Sequence, residues 1–274
     1  MPLSWGPMGG KSRESPTQRR TRRERSFRAK LLRWFDRHGR DLPWRRTRDP
    51  YRVLVSEVML QQTQVARVEP FYYRFLEHFP SLPDLAQASP ARVREAWQGL
   101  GYYRRADHLH RLAIRVMSDH DGKIPDDPAM LRALPGVGRY TAGAVLSFAF
   151  EQPAPAVDTN VARVIRRAFL PRAGKGAQPE RRIWETAERI LPRSGTRAWA
   201  FNQAIMELGA LVCTARVARC AVCPVRSACL TGGNTAGRSP ARVGQSQRTR
   251  YNAEVTRASI PMRLDTMPEI LSRW

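Results

Sequence analysis

The four cysteines of this 274-residue chain all lie in one short segment, as Cys213, Cys220, Cys223 and Cys229. Thiolates are soft ligands that select iron–sulfur clusters, zinc or copper(I), so their grouping predicts a metal site. A zinc ribbon usually pairs two C-x2-C knuckles across a longer gap, whereas this segment has one C-x2-C with two unequal arms. The spacing therefore favours a [4Fe–4S] cluster over zinc, and two disulfides are the remaining alternative.

The charge of the chain indicates a nucleic-acid partner. Lysine and arginine together number 47 against 24 acids, which gives a net charge of +23. Most of the basic residues are arginines, and the planar guanidinium group binds phosphate oxygens in pairs. The cysteine segment itself carries Arg216, Arg219 and Arg226. We therefore expect a cluster-supported loop that faces phosphate, and basicity that is not confined to the chain termini.

Proline and glycine divide most of the chain into segments with helical periodicity, and strand-like alternation is scarce. The pattern predicts an all-α protein with two helical lobes in one domain over residues 26–229, including one long helix over 51–68 that starts after Pro50. Residues 1–25 are rich in Gly, Pro, Ser and Arg and are predicted to be a disordered basic arm. Residues 230–274 are predicted to be a largely unstructured basic tail.

Hydrophobic residues make up 42% of the chain, which is enough for a core of about 200 residues. No apolar run approaches the roughly 20 residues of a membrane span, and no signal-peptide pattern is visible. A membrane partner is therefore not expected, and the expected location is the cytoplasm.

The segment Leu134–Gly138, with the sequence LPGVG, lies between helical patterns over 127–133 and 139–150. Gly136 and Gly138 permit close approach and unusual backbone angles. The helix that follows would present free N–H groups, which bind an anion. A G-x-G pattern alone is most often only a tight turn, but the flanking helices favour a helix-hairpin-helix that holds a DNA phosphate without reading bases.

Two carboxylates stand out, although the sequence alone does not bring them together. Asp158 comes about 20 residues after the hairpin glycines and just before a helical pattern, where a helix N-cap is the ordinary interpretation. Glu57 lies among apolar residues of a helical pattern. It faces either water or a desolvated site. In a desolvated site its pKa would be raised, so that it could carry a proton near neutral pH.

Taken together, the motifs resemble the endonuclease III superfamily of DNA glycosylases, and within it most closely the MutY-type adenine DNA glycosylases. The motifs between about Phe27 and Cys229 are LPWR at 42–45, SEVMLQQTQ at 56–64, GLGYY at 99–103, the hairpin, VDTN at 157–160, FNQA at 201–204 and the four cysteines. The resemblance implies a two-lobed helix-hairpin-helix glycosylase fold with a C-terminal [4Fe–4S] loop. It also implies a monomer that acts on double-stranded DNA containing a mismatch.

The same resemblance implies roles for individual residues. Glu57 is expected to protonate adenine at N7, and Asp158 to stabilise the oxocarbenium-like sugar, with Tyr140 and Asn160 supporting them. The remaining predicted substrate and DNA contacts are Arg45, Gln61, Gln62, Thr63, Leu100, Tyr102, Gly136, Gly138 and Gln203.

Within that set, Arg45 and Gln203 resemble residues around the flipped adenine, where the family often has glutamate in place of Gln203. The wedge and cradle for the opposing base are expected from Gln62, Thr63, Leu100 and Tyr102. For Tyr102, ordinary core packing is the alternative.

Position 140 divides the superfamily, because a lysine there would give a Schiff-base lyase. This chain has Tyr140, so we expect a monofunctional glycosylase. The resemblance stops after Cys229. The residues that follow are too few for the family's C-terminal domain that recognises 8-oxoguanine, and we expect a weakened preference for that base.

Other functions remain open at this point. A mismatch thymine or uracil glycosylase of the same superfamily also has tyrosine at that position. A non-catalytic, cluster-bearing DNA-binding protein is a candidate from a different class, but it would gain little from acids in a basic groove. A lyase-type nuclease is disfavoured by the absence of the lysine. Removal of adenine mispaired with 8-oxoguanine or guanine is the function that the motifs favour.

Overall fold

Helices dominate the part of the chain that the computed structural model describes, which is residues 14–171 and 177–233. The α-helices are α1 (Pro16–His38), α2 (Pro50–Leu60), α3 (Val65–His78), α4 (Leu82–Gln87), α5 (Pro90–Ala96), α6 (Arg104–Asp119), α7 (Pro128–Ala133), α8 (Arg139–Phe148), α9 (Thr159–Phe169), α10 (Ala177–Ile190), α11 (Gly195–Leu211) and α12 (Leu230–Gly233). Short 3-10 helices span Pro43–Arg45, Cys220–Val222 and Arg226–Ala228. Within these ranges the one β-type pairing is an isolated bridge between Cys213 and Ala218. The all-α prediction is confirmed.

Helix α1 begins at Pro16, well inside the segment predicted to be a disordered arm. The Ser15 side chain accepts a hydrogen bond from the backbone N–H of Gln18, whose side chain binds the Ser15 N–H in return, and such a capping box starts a helix. Farther along α1, the buried carboxylate of Glu24 accepts a hydrogen bond of 2.8 Å from Arg189 of α10. The prediction is therefore wrong for residues 16–25, because capping and this ion pair order them. Residues 1–13 lie outside the described residues.

The single helix predicted over 51–68 is in fact two helices, α2 and α3, separated by a turn at residues 61–64. Gln62 in this turn has a φ of +56°, the left-handed conformation that commonly ends a helix. Buried Arg105 of α6 donates hydrogen bonds of 2.6–3.1 Å to three carbonyl groups at the C-terminal end of α2. These carbonyls have no partner within the helix, so a residue remote in sequence stabilises the break.

Two apolar cores give the domain its two helical lobes. The first core is built from α2 to α8, with Leu54, Phe75 and Trp97 fully enclosed. The second is built from α1, α9, α10, α11 and the cysteine segment, with Phe27 and Ile165 fully enclosed. Helices α8 and α11 contact each other across the boundary, so the two cores are held together where α2, α8, α9 and α11 converge.

The first four residues of the predicted C-terminal tail are structured. They form α12, which packs against α9, and residues 234–274 lie outside the described residues. In the described ranges no helix is both long and apolar enough to cross a membrane.

Candidate active site

One cavity of about 1200 Å³ lies between the two cores, with walls from α2, α8, α9, α10 and α11. It brings together most of the predicted site residues: Arg45, Glu57, Gln61, Gln62, Thr63, Tyr140, Asp158, Asn160 and Gln203. Leu100, Tyr102, Gly136 and Gly138 are not part of its wall. The fold therefore unites residues that the sequence could group only through a resemblance.

Glu57 enters this cavity from α2, a helix that is buried on most of its circumference. Its side chain is 4% exposed. Tyr140, in the first turn of α8, donates its hydroxyl to Glu57 Oε2 at 2.6 Å. The capped, proline-initiated start of α2 at Asp49 and Pro50 fixes the register that turns Glu57 toward α8.

Burial raises the pKa of Glu57 to about 7. The hydrogen bond from Tyr140 opposes this rise because it favours the carboxylate, while the negative charge of Asp158 adds to it and Arg45 lowers it. Burial and the charges of Glu57 and Asp158 in turn raise the pKa of Tyr140 well above its usual range, so its hydroxyl remains a donor. Glu57 can therefore hold and release a proton near neutral pH.

Asp158 is the N-cap of α9 and also lines the cavity. Its Oδ1 accepts a hydrogen bond of 2.6 Å from the backbone N–H of Val161, and its Oδ2 accepts one of 2.8 Å from the Asn160 side chain. The capping interpretation is therefore correct without excluding a second role. The two donors hold the carboxylate in one orientation.

A residue that the sequence did not single out, Arg163, connects this carboxylate to the cysteine segment. It donates to Asn160 Oδ1 at 2.7 Å and to the carbonyl oxygens of Gly209 at 2.8 Å and Cys213 at 2.8 Å. Arg163 thereby orients the amide that binds Asp158. In the sequence, only its position three residues after Asn160 could have indicated a contact with that side chain. Its other two acceptors, the carbonyl groups of Gly209 and Cys213, lie far along the chain and could not be predicted.

Arg45 is fixed by three acceptors at the other side of the cavity. It donates to Gln203 Oε1 at 2.7 Å, to Glu207 Oε2 at 2.8 Å and to the carbonyl oxygen of Arg40 at 2.8 Å. The carboxylate of Glu207 is 1% exposed and also accepts from the Arg40 side chain at 2.7 and 3.0 Å. Although burial acts to raise it, the pKa of Glu207 lies below its ordinary value because both arginines donate to it.

Sequence analysis also did not predict that Arg40 and Glu207 belong to this site. The one feature that could have indicated it is Glu207 itself, a single acid in the largely apolar helix α11. Together with Arg45 they hold Gln203 in place.

Arg105 joins the two loops expected to contact the opposing base. It donates to the carbonyl oxygen of Gln61 at 2.6 Å and to that of Gly101 at 3.0 Å. Beside it, Tyr102 has a φ of +49° and is 61% exposed, so the alternative of core packing is wrong for this residue. Leu100 is only 4% exposed and belongs to the first core. Its side chain is therefore not available as a wedge in this structure.

The predicted hairpin is present between α7 and α8. Gly136 has a φ of +77°, and a Cβ there would lie 2.8 Å from Cβ of His108, so the fold requires glycine at this position. Gly138 is the exposed N-cap of α8, has no side-chain cap, and a Cβ there would meet nothing within 4 Å. The fold therefore does not need glycine at this second position. Because no side chain caps the start of α8, its first N–H groups are open to an anion.

The cysteine segment encloses a cavity of about 280 Å³, which all four cysteines line. The thiols are free and half-buried, and burial raises the pKa of Cys223 to about 11. No three His, Cys, Asp or Glu side chains in the described residues converge as a site for a single metal ion. Four soft donors that line one cavity are a ligand set that suits an iron–sulfur cluster or zinc.

Comparisons with known proteins agree with this architecture. Residues 55–190 match the family described as HhH-GPD superfamily base excision DNA repair protein. An adenine DNA glycosylase of Mycolicibacterium smegmatis is 44% identical over 226 residues, which are 80% of this chain and 76% of that relative. An adenine DNA glycosylase of Mycobacterium tuberculosis is 48% identical over 196 residues, which are 71% of this chain and 64% of that relative.

Solved structures show the same fold. A thermostable thymine-DNA glycosylase superposes with a TM-score of 0.71 at 30% identity, covering 78% of this chain and 98% of that one. Endonuclease III in a trapped covalent intermediate with DNA superposes with a TM-score of 0.66 at 26% identity, covering 78% of this chain and 97% of that one. The chain belongs to the HhH-GPD superfamily of base excision DNA repair proteins. Within that superfamily it groups with the adenine DNA glycosylases.

The two hairpin glycines should respond differently to the same substitution. Gly136→Ala should lower the melting temperature by about 5 °C, because a positive φ and the contact with His108 cost roughly 2 kcal/mol. Gly138→Ala should leave the melting temperature within about 1 °C of the parent and weaken duplex DNA binding several-fold, since the added methyl group occupies open space at the start of α8. Thermal unfolding and fluorescence anisotropy with a labelled duplex measure both effects.

Each variant is the control for the other, because both add one methyl group to the hairpin. Equal losses of melting temperature, or unchanged DNA binding in Gly138→Ala, would contradict the assignment of Gly138 to phosphate contact.

Proposed function

We propose that this protein excises adenine mispaired with 8-oxoguanine or guanine in duplex DNA. The observation that carries the proposal is the presence of Glu57 and Asp158 in one cavity, in different environments. Glu57 is buried and has a pKa of about 7, whereas Asp158 is held by two hydrogen-bond donors. Cleavage of a glycosidic bond requires one group that donates a proton to the leaving group and one carboxylate that stabilises the charge on the sugar. Glu57 and Asp158 match these two requirements.

Adenine inside a duplex cannot reach these groups, so the nucleotide must first turn out of the helix into the cavity. Tyr102 is exposed, and Arg105 holds its loop in place. We propose that its side chain fills the gap that the flipped nucleotide leaves. Gln61, Gln62 and Thr63 extend from the cavity toward the same loop and are proposed to cradle the opposing base. The N–H groups at the start of α8 would hold the backbone through a phosphate.

In the cavity, protonated Glu57 gives its proton to adenine N7, so that the base leaves as a neutral group. As the C1′–N9 bond breaks, positive charge develops on the sugar, and the Asp158 carboxylate stabilises it electrostatically. A water molecule then adds to C1′ and gives up a proton, which restores protonated Glu57 and leaves the abasic site. Tyr140 donates to Glu57 after the proton has left, and Asn160 keeps Asp158 oriented. Arg45 and Gln203, fixed through Glu207, are proposed to position the flipped base.

A Schiff-base step has no supporting residue in this scheme. Tyr140 stands where the resemblance would place a lysine, and its hydroxyl is committed to Glu57 at 2.6 Å. We propose a monofunctional glycosylase that acts as a monomer and leaves the abasic site uncut. Borohydride trapping of an enzyme–DNA adduct would contradict this.

Removal of a mispaired thymine or uracil is a second candidate function. One observation favours it, the superposition on a thymine-DNA glycosylase. That relative is 30% identical, whereas the adenine DNA glycosylases reach 44–48%. The two functions differ in the base that is released, so a panel of mismatches separates them.

The four cysteines, Cys213, Cys220, Cys223 and Cys229, are proposed to hold a [4Fe–4S] cluster. Such a cluster would cross-link their segment and keep it folded. Its proposed consequence is structural, because Arg163 uses the Cys213 carbonyl oxygen to orient Asn160. Arg216, Arg219 and Arg226 lie in the same segment and are proposed to face DNA phosphates.

Base release from duplexes containing A:8-oxoG, A:G, T:G and U:G pairs tests the proposed substrate. The parent protein should release adenine and no pyrimidine. Glu57→Gln and Asp158→Asn should each lower single-turnover release by at least about 100-fold, because each removes one half of the acid and charge stabilisation, while DNA binding changes little. Glu77→Gln, at an exposed position of α3, is the matched control with parent-like release. Release of thymine, or parent-like rates in either site variant, would reject the proposal.

The pH dependence of adenine release should report the pKa of Glu57. The protonated form is the active one, so the rate should be highest below the pKa of about 7 and fall about tenfold between pH 6 and pH 8. Tyr140→Phe should shift this fall to higher pH, because it removes the hydrogen bond that lowers the pKa. Tyr103→Phe, at an exposed tyrosine outside the cavity, should leave the profile unchanged. A shift to lower pH in Tyr140→Phe would show that the hydroxyl does not stabilise the carboxylate.

The cluster proposal predicts iron and sulfide in equal amounts in the purified protein, with the broad visible absorption of an iron–sulfur centre. Cys220→Ser should lose most of the iron, because one ligand of four is missing. Ser118→Ala, at an exposed position of α6, should retain it. Stoichiometric zinc, or a metal-free folded protein, would contradict the proposal whatever the activity.

A further inference from the structure

A second cavity, of about 360 Å³, lies between α1 and the segment that joins α10 to α11. Four arginines line it: Arg25 and Arg28 from α1, Arg193 from the segment before α11 and Arg197 from the first turn of α11. Ser194 lines it as well. None of these residues lines the cavity that holds Glu57 and Asp158. The arginine cavity is therefore separate from the cavity proposed to excise adenine.

The four guanidinium groups have no neutralising partner in the described ranges. None of them forms an ion pair with a described carboxylate, and Arg28 donates only to the carbonyl oxygen of Ile190 at 3.5 Å. The nearby acids are committed elsewhere, since Glu24 binds Arg189 and Glu151 binds Arg48.

Other arginines of the chain are paired, such as Arg40 and Arg45 with Glu207. Four like charges around one cavity repel one another, and a bound anion would remove that cost.

The cations come from two elements that the fold holds together. Arg25 and Arg28 are almost one helical turn apart on α1 and so share a face, and α1 packs against α10 and α11. Buried Phe27 and Leu31 and the Glu24–Arg189 ion pair fix the rotation of α1. Ser194 makes no capping hydrogen bond at the start of α11. Paired guanidinium groups approaching from two sides match the oxygens of a phosphate diester.

The net charge of +23 favours a polyanion over a free phosphate ion as the partner of these arginines. Exposed Arg19 and Arg20 of α1 add to this charge, but they lie on other faces of the helix than Arg25 and Arg28, since successive residues are about 100° apart.

We propose that this surface, which we define as Arg25, Arg28, Arg193 and Arg197, binds the backbone of duplex DNA outside the cavity of Glu57 and Asp158, which we call the lesion-binding cavity. It would hold the enzyme on undamaged DNA through contacts that carry no sequence information.

The test is the salt dependence of binding to an undamaged duplex of about 40 base pairs, with the full chain. The triple variant Arg25→Gln, Arg193→Gln, Arg197→Gln should lower the slope of log K against log salt by about 2 to 3, since each phosphate contact contributes about 0.9. Arg28 is kept because it touches Ile190. Restoring the charge with lysine at the same three positions should restore most of the slope.

The matched control removes the same charge elsewhere, with Arg52→Gln, Arg92→Gln and Arg115→Gln, all at exposed helical positions. This control should change the slope by less than about 1. An unchanged slope in the cavity variant, or equal losses in both triples, would overturn the proposal, because the effect would then be absent or would reflect net charge alone.

Single-turnover adenine release at saturating enzyme should be unchanged in the cavity variant, because none of its residues reaches the lesion-binding cavity. If the parent protein released no adenine, the proposed function would fail while the salt slopes would still decide this inference.

Discussion

The burial of Glu57 is the constraint on which the rest of the site depends. An ionised carboxylate in the interior is expensive, so the structure must either neutralise it with a proton or give it a donor. It does both, since burial raises the pKa to about 7 and Tyr140 donates at 2.6 Å. The result is a group with nearly equal populations of its two protonation states near neutral pH. Such a group suits proton transfer far better than an exposed carboxyl.

The partner carboxylate belongs to the other core, so its placement depends on how the two cores meet. Asp158 is set by the start of α9, by Asn160 and, through Asn160, by Arg163. Glu57 is set by α2 and α8. Because α8 contacts both α2 and α11, it is the element that relates the two acids. A change that loosens the contact between α8 and α11 should therefore impair the pair without touching either carboxylate.

Sequence patterns predicted the helices, the hairpin and both acids, because these depend on local periodicity, turn residues and an acid in an apolar context. They failed where the deciding interaction was tertiary. The break between α2 and α3 depends on Arg105, a residue remote in sequence. The order of residues 16–25 depends on a pair between Glu24 and Arg189. Glu207 could be recognised only as an unusual acid in an apolar helix, since the arginines that bind it come from elsewhere.

The arginines of this chain have two different structural roles, and the net charge of +23 does not show which arginine has which role. Arg45, Arg105 and Arg163 are internal donors whose planar groups connect loops and orient acceptors. Their guanidinium groups bind carbonyl oxygens, side-chain amides and carboxylates inside the fold. The arginines around the α1 cavity bind no carboxylate among the described residues, and Arg28 reaches one carbonyl oxygen, that of Ile190 at 3.5 Å. Their electrostatic field therefore reaches solvent, where it can attract a polyanion over about one Debye length.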